Sequence, residues 1–359
     1  MREPLSALPS DIETIPDRPA VFLLWAGEGA PYLARTALLR RRLKRLLADR
    51  DRVSRVLNLR GVVERIEYWL TGSQLESSLI HLDLAKLHFP EDVARITRLK
   101  PPVFLRLTLD NPFPRTMLTT RLGRSLDTSV TYGPFASRAA AERYQNEMLD
   151  LFQLRRCEDN LAPAPEHPGC IYGEMNKCLR PCQQVVSAEE YRHEARRVED
   201  FLRTDGGSLR EAAETARDRA SADMQFEEAE HLHQRLNRIA EVHASAGELA
   251  RSLDRLAGVA VVPSYGQDAV SLCFLAGGRW LPPRPFSLSE TASMDQRLRE
   301  FASGISPAAT PDLEHLAVLV RWHGSSWRDG EWIGFDSFEK IPYRRIVNAV
   351  ARVAAARKT

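Results

Sequence analysis

The sequence predicts an α+β multidomain protein, and three observations predict it. Short apolar runs near the N-terminus lead into leucine-spaced helical patterns, as in Ala20–Trp25 followed by Thr36–Ala48. The segment from Cys157 to Cys182 is rich in Pro, Gly and Asn and has little periodicity, so something other than an apolar core must order it. A long charged helical stretch then gives way, beyond Leu253, to strand-like runs with Gly-rich turns. The chain has 359 residues, enough for about two or three domains. Its 43% hydrophobic and 27% charged residues exclude disorder along the whole length.

The formal net charge of +2 names no partner by itself, but it hides segregation. From Arg35 to Arg60 ten Lys/Arg stand against two acids, and from Glu211 to Glu230 seven acids stand against two arginines. A basic helix is either a solvated face or a phosphate-binding surface. Five cysteines are too few for a disulfide scaffold, and four of them crowd into Cys157–Cys182, the pattern of a local metal site. No apolar run approaches the roughly 18–20 residues that span a bilayer. Met1-Arg2-Glu3-Pro4 begins no apolar signal core. The expectation is a cytoplasmic chain with no membrane partner, in a reducing compartment where thiolates persist.

The elements follow in order. Ala20–Trp25 is a strand, Ala26–Gly29 a turn and Tyr32–Arg35 the returning strand. Thr36–Ala48 carries leucines at helical spacing with arginines between, and Thr71–Leu87 is a second helix. Val103–Leu109 and Thr116–Arg121 alternate as strands around a Pro/Asn/Asp turn. Ala136–Leu154 reads as a helix capped by Ser137, and Ser187–Arg203 opens on a capping box. Ser208–His243 is helix-forming, with a turn near Ala222–Phe226. Ala257–Val262, Ala269–Leu275 and Arg279–Leu281 read as strands, and Met294–Phe301 and Tyr343–Ala355 as helices.

Ala20-Val21-Phe22, Tyr32-Leu33-Ala34, Arg35, Arg42 and Glu76 fall in the order and spacing that resemble the GIY-YIG nuclease module. Phosphodiester cleavage needs an activated water and neutralisation of the phosphate. A phenol with a lowered pKa takes a proton, an arginine fork holds phosphate oxygens, and a carboxylate holds a hydrated divalent ion. The resemblance implies Tyr32 as base, Arg42 and Arg35 as phosphate ligands, and Glu76, in Leu75-Glu76-Ser77-Ser78-Leu79-Ile80, as ligand to Mg²⁺ or Mn²⁺. The neighbouring Arg40, Arg41, Lys44 and Arg45 would follow a DNA backbone. The sequence departs from the pattern at Phe22, which lacks a hydroxyl, at Ala34 in place of glycine, and at Arg35, Leu38 and His88.

Cys157, Cys170, Cys178 and Cys182 contain no Cys-x-x-Cys pair, and four loop thiolates suit a [4Fe–4S] cluster or Zn²⁺ equally on chemistry alone. Cys170-Ile171-Tyr172 and Asn176–Cys182, with Tyr132-Gly133-Pro134-Phe135 before them, resemble the UvrC excision-repair family. The resemblance implies an iron–sulfur cluster, with zinc the alternative; Cys273 reads as core. Ala222–Leu236 resembles the UVR helical hairpin, which implies a UvrB-like partner docked on Phe226, Ala229 and Leu236.

The resemblance divides the chain into a GIY-YIG-like nuclease domain (12–100), a connecting region with the cysteine segment (101–205), a UVR-like hairpin (206–246) and a C-terminal α/β region (253–359). Trp332–Ser337 is similar to the first strand of an RNase H-like nuclease, but a lone Asp336 cannot hold two metals and reads as a turn or cap. Too few residues follow Gly304 for a second nuclease, so the layout resembles the short Cho-type homologues. The implied function is a DNA-repair endonuclease that acts on damaged duplex in nucleotide excision repair and cuts on one side, the 3′ side. The alternative is a catalytically inactive DNA- or UvrB-binding adaptor with a structural cluster.

Overall fold

The computed structural model describes residues 2–48, 59–123, 129–158, 160–288, 293–303, 305 and 310–356. The basic stretch 49–58 and Gly304 lie outside the described residues. Met1–Lys100 together with Ala257–Thr359 forms one compact unit, and Pro101–Leu256 forms a second.

The first unit opens with β1 (Leu5–Ala7), β2 (Ala20–Trp25), β3 (Tyr32–Thr36), α1 (Leu39–Leu46), β4 (Arg65–Leu70), α2 (Gln74–His88) and α3 (Val93–Thr97). The strands form an antiparallel sheet in the order β1-β4-β2-β3. β2 is apolar at every position because it is central and covered on both faces. Phe22, Leu24 and Ile66 pack with Leu39, Leu43 and Leu46 of α1 on one side. Val21, Leu23 and Trp69 pack with Ile80 and Leu84 of α2 on the other. α1 starts at Leu39, three residues later than its sequence pattern, because Thr36 Oγ1 bonds the Leu38 backbone and holds the entry extended. β4 escaped the sequence reading because Arg65 and Glu67 interrupt its apolar residues.

The second unit contains β5 (Val103–Thr108), β6 (Arg115–Thr119), β7 (Ser129–Phe135), α4 (Arg138–Leu149), α5 (Ile171–Glu174), α6 (Ala188–Arg203), α7 (Gly207–Ala222), α8 (Phe226–Ser245) and β8 (Arg251–Ser252). Its sheet runs β6-β5-β7-β8, also antiparallel. Tyr132 of the Tyr-Gly-Pro-Phe motif stacks on Tyr144 at 5.1 Å and belongs to the core. Ser137 caps α4 and Ser187 closes a capping box on α6, as the sequence predicts. α7 and α8 form a helical hairpin whose turn passes through Met224 in the left-handed region. Its base joins the core through Leu209, Ala213, Ile239 and Val242.

The first unit is completed by β9 (Ala257–Pro263), β10 (Ala269–Ala276), β11 (Arg279–Trp280), β12 (Arg284–Ser287), α9 (Met294–Ala302), α10 (Leu313–His323), β13 (Glu331–Phe335) and α11 (Tyr343–Ala356). β11-β10-β9-β13 form an antiparallel sheet, with β12 also on β10, and α9 and α11 pack against it. Asp336 is exposed after β13, beside Ser337, which caps the following turn. Trp322 and Trp332 are buried and Cys273 is fully enclosed, so all three are core residues. Among the described residues no helix is long and apolar enough to cross a membrane.

Within this unit the C-terminal part is seated directly on α2. A Cβ on Gly72 would lie 2.0 Å from the Ser264 carbonyl carbon, so only glycine permits the approach. Asp329 Oδ2 accepts from the Gln74 N–H at 2.6 Å, at the start of α2. Lys86 of α2 pairs with Asp312, the N-cap of α10, at 2.6 Å. Arg2 covers the Tyr265 ring at 4.0 Å and pairs with Glu76 at 3.1 Å. Glu76 is 2% exposed.

Burial pushes the Glu76 carboxyl up despite the Gly72 N–H and Arg2, which both favour its charged form. A carboxyl raised in the fold contributes full stability below its unfolded pKa and loses it as pH rises through the folded value. Arg2→Ala removes a cation and raises the carboxyl further. The variant is therefore expected to lose about 1–3 kcal/mol at pH 8 and much less near pH 4. Denaturant unfolding at both pH values checks this, and in a Glu76→Gln background the pH dependence of the Arg2→Ala effect should vanish.

Candidate functional site

Strand parity decides where the nuclease-like residues stand. Successive side chains of β3 point to opposite faces, so Tyr32 and Ala34 share one face while Leu33 and Arg35 share the other. Tyr32 packs near Phe22 (6.2 Å between rings) on the α1 side, and Arg42 Nη2 donates to the Tyr32 hydroxyl at 3.4 Å. Arg35 faces α2 and donates from Nη1 to Ser78 Oγ at 3.0 Å. Glu76 also belongs to α2, near the end of the sheet where Ala20 pairs with Leu70. Tyr32 pairs with Leu24 toward the opposite end. The fold thus brings Tyr32 to Arg42 and sets both across the sheet from Arg35 and Glu76.

Each oxygen of Glu76 already has a donor: Oε1 from Arg2 Nη2 at 3.1 Å and Oε2 from the Gly72 N–H at 2.8 Å. The remaining space is a cleft of about 180 Å³ shared with Asp83 and Pro282. Each Glu76 oxygen thus has one protein donor, and the carboxyl is largely shut off from bulk water. Phe22 is fully buried and adds only ring contact. His88 rests edge-on against Trp25 at 5.2 Å, a packing role.

α1 offers a basic face. Leu39, Leu43 and Leu46 are buried, which leaves Arg41, Lys44 and Arg45 exposed and Arg40 partly so. Lys44 pairs with Glu13 at 2.6 Å, and Arg40 donates to the Glu13 carbonyl. An exposed pair of this kind is weak, and a phosphate can displace it.

The cysteine segment is tied to the core of the second unit. Arg155 is 1% exposed; its Nε donates to the Phe113 carbonyl at 3.0 Å and its Nη1 to Cys157 Sγ at 3.6 Å. Tyr191 accepts from the Arg155 N–H and donates to the Pro114 carbonyl. Leu179 N–H donates to the Gln153 carbonyl, and Arg180 N–H donates to Cys178 Sγ at 3.4 Å. Burial first, with the charges of Cys157, Cys170 and Cys182 added, pushes Cys178 up to about 11 against the Arg180 N–H, which lowers it; burial, Cys157 and Cys170 raise Cys182. The four cysteines therefore share one electrostatic neighbourhood. Among the described residues no group of three or more His, Cys, Asp or Glu is assembled closely enough to hold a metal ion. The all-sulfur donor set and its N–H···S bonds nonetheless fit the chemistry of an iron–sulfur cluster.

At the hairpin tip Met224 and Phe226 are 74% and 69% exposed. Ala229 and Leu236 are half-buried, with Leu236 leaning on the core. Phe226 therefore stands free for a partner, while Leu236 is shared with the fold.

Arg2, His81, Arg321 and Asp329 escaped the sequence reading. Each acts through contacts between segments far apart in the chain, and no local spacing marks such a contact. The parity of β3 was available, since Tyr32 and Arg35 are three residues apart and must face opposite ways.

Comparison with known proteins adds the family. Residues 103–201 match the family described as UvrC/Cho excinuclease, middle domain. The chain is 26% identical to UvrABC system protein C of Rickettsia bellii over 297 residues, 81% of this chain and 46% of that protein. It is 27% identical to UvrABC system protein C of Novosphingobium aromaticivorans over 326 residues, 86% of this chain and 49% of that protein. No solved structure matches. The chain spans about half the length of the curated relatives it matches. With its α+β layout and the match to the UvrC/Cho middle domain in its second unit, the chain is similar to UvrC excision-repair proteins over about four fifths of its length.

Proposed function

We propose that this chain serves nucleotide excision repair as a DNA- and UvrB-binding component whose GIY-YIG-like module holds DNA without cutting it. The observation that carries this reading is the state of Glu76, buried and bonded at both oxygens. Phe22 and the separation of Tyr32–Arg42 from Arg35 and Glu76 support it. DNA would lie along Arg40, Arg41, Lys44 and Arg45 of α1, where binding is sequence-independent and falls steeply with salt. The exposed tip of the α7–α8 hairpin would seat the partner, with Phe226 as anchor and Ala229 and Leu236 beside it.

A second reading is favoured by the Tyr32–Arg42 contact. In it the chain is an endonuclease that makes one incision, on the 3′ side of the lesion. Tyr32 takes a proton from water, Arg42 steadies the phosphate, and Glu76, released from Arg2, holds Mg²⁺ or Mn²⁺.

A nicking assay on damaged duplex with either metal, with and without a UvrB-type partner, separates the two. The first reading expects partner-dependent DNA binding, weakened at least several-fold by the double variant Arg41→Gln, Lys44→Gln, and intact strands. A single cut abolished by Tyr32→Phe overturns it in favour of the second.

Cys157, Cys170, Cys178 and Cys182 would hold a [4Fe–4S] cluster, with zinc as the alternative. When bound, the cluster supplies the order that a Pro- and Gly-rich loop cannot draw from apolar burial. Anaerobically purified protein is expected to contain iron and acid-labile sulfide and to absorb in the visible. Cys170→Ser should lower the iron content and increase proteolysis between Arg156 and Val185. Stoichiometric zinc without iron would replace the cluster assignment.

A further inference from the structure

Among the described residues only Trp322 is a larger fully enclosed side chain than Arg155. Arg155 follows Leu154, a core residue, in the run that leads from α4 to the cysteine segment. Its neighbour Arg156 takes a different course, pairing with Asp150 at 2.7 Å and lying over the Tyr172 ring at 5.2 Å. A guanidinium does not lose its proton inside a protein, so Arg155 carries a full positive charge into the second unit. Burying that charge is costly unless hydrogen bonds and negative charge stabilise it.

The guanidinium is held from two sides. Nε donates to the Phe113 carbonyl at 3.0 Å, and Nη1 donates to the Cys157 carbonyl at 3.3 Å. The backbone N–H of Arg155 donates to the Tyr191 hydroxyl at 3.0 Å, and that hydroxyl donates to the Pro114 carbonyl at 2.8 Å. Phe113 and Pro114 lie in the connection between β5 and β6, and Tyr191 is a core residue of α6. The strand connection and α6 thus fix the plane of the guanidinium. In that fixed plane Nη1 also donates to Cys157 Sγ at 3.6 Å. Cys157 is only half-buried, so a buried cation meets a sulfur that stands nearer the surface.

Thiolates around an iron–sulfur cluster make a net anion, and charge and hydrogen bonds at the sulfurs tune its reduction potential. We propose that Arg155 is the residue that sets the charge balance of the cysteine site, by donating to the Cys157 thiolate and favouring the reduced, more negative state of the cluster. This inference rests on the cluster assignment above. Reduction takes one electron from an external one-electron donor and no proton, so a fixed positive charge favours its product.

The test is a dithionite titration of the anaerobically purified full chain with redox mediators, read by visible absorbance. Wild type is compared with Arg155→Met, Arg155→Lys and Tyr191→Phe. Arg155→Met is expected to lower the midpoint potential by about 59 mV, the one-electron equivalent of a tenfold change. Arg155→Lys, which keeps the charge, should recover most of that shift. Tyr191→Phe loosens the same packing without changing charge, so it should lower the melting temperature and leave the potential in place. An unchanged potential in Arg155→Met, or an equal shift in Tyr191→Phe, overturns the role of Arg155 and leaves the cluster standing. Wild-type protein without iron and acid-labile sulfide overturns both. A reading on wild type covers the case in which Arg155→Met does not fold. With nitrogen-15 placed in the guanidino groups of arginine, pulsed electron paramagnetic resonance of the reduced cluster is expected to show a weak nitrogen coupling. Its absence overturns the contact.

Discussion

Glu76 sits where α2 begins, and its burial constrains most of what the first unit does. A carboxylate removed from water requires donors, and the chain supplies them from two directions: Gly72 just before the helix and Arg2 near the N-terminus. Arg2 in turn is held by the Leu70 carbonyl and the Tyr265 ring. Tyr265 follows Ser264, the residue whose backbone Gly72 admits. One buried charge therefore ties the N-terminus, the head of α2 and the region beyond Ala257 into a single packing problem. Removing any of these contacts leaves the others less satisfied.

This closure has functional weight because the same carboxylate is the one a metal-dependent nuclease of this pattern would need. A hydrated divalent ion requires an oxygen that faces water. Here both oxygens face protein donors, whereas the basic face of α1 and the tip of the hairpin remain open to large partners. On the function proposed above, these open surfaces are the ones that would hold DNA and a partner protein.

Much of the fold was legible because it rests on local rules. Ser137 and Ser187 cap helices wherever their hydroxyls reach the third N–H, and the apolar run of β2 marks a strand covered on both faces. The turn between α7 and α8 was placed because the charged helical pattern falters at Asp223-Met224-Gln225. β4 and α10 were not legible: mixed residues blur the period of the first, and α10 gains its place from contact with α2 and β11. The candidate site was legible as a set of residues, not as a geometry. Spacing put Tyr32, Arg35, Arg42 and Glu76 in order, but their division between two faces follows from strand parity and from Arg2 and Asp329, which lie far away in sequence.

The most direct test of the closed carboxylate is Mn²⁺ binding to the full free chain, followed by electron paramagnetic resonance, in wild type and Glu76→Gln. With Glu76 held by Arg2 and Gly72, the two titrations should coincide. A Mn²⁺ site present in the wild type and lost in Glu76→Gln would contradict the account and return the module to the metal-dependent nucleases.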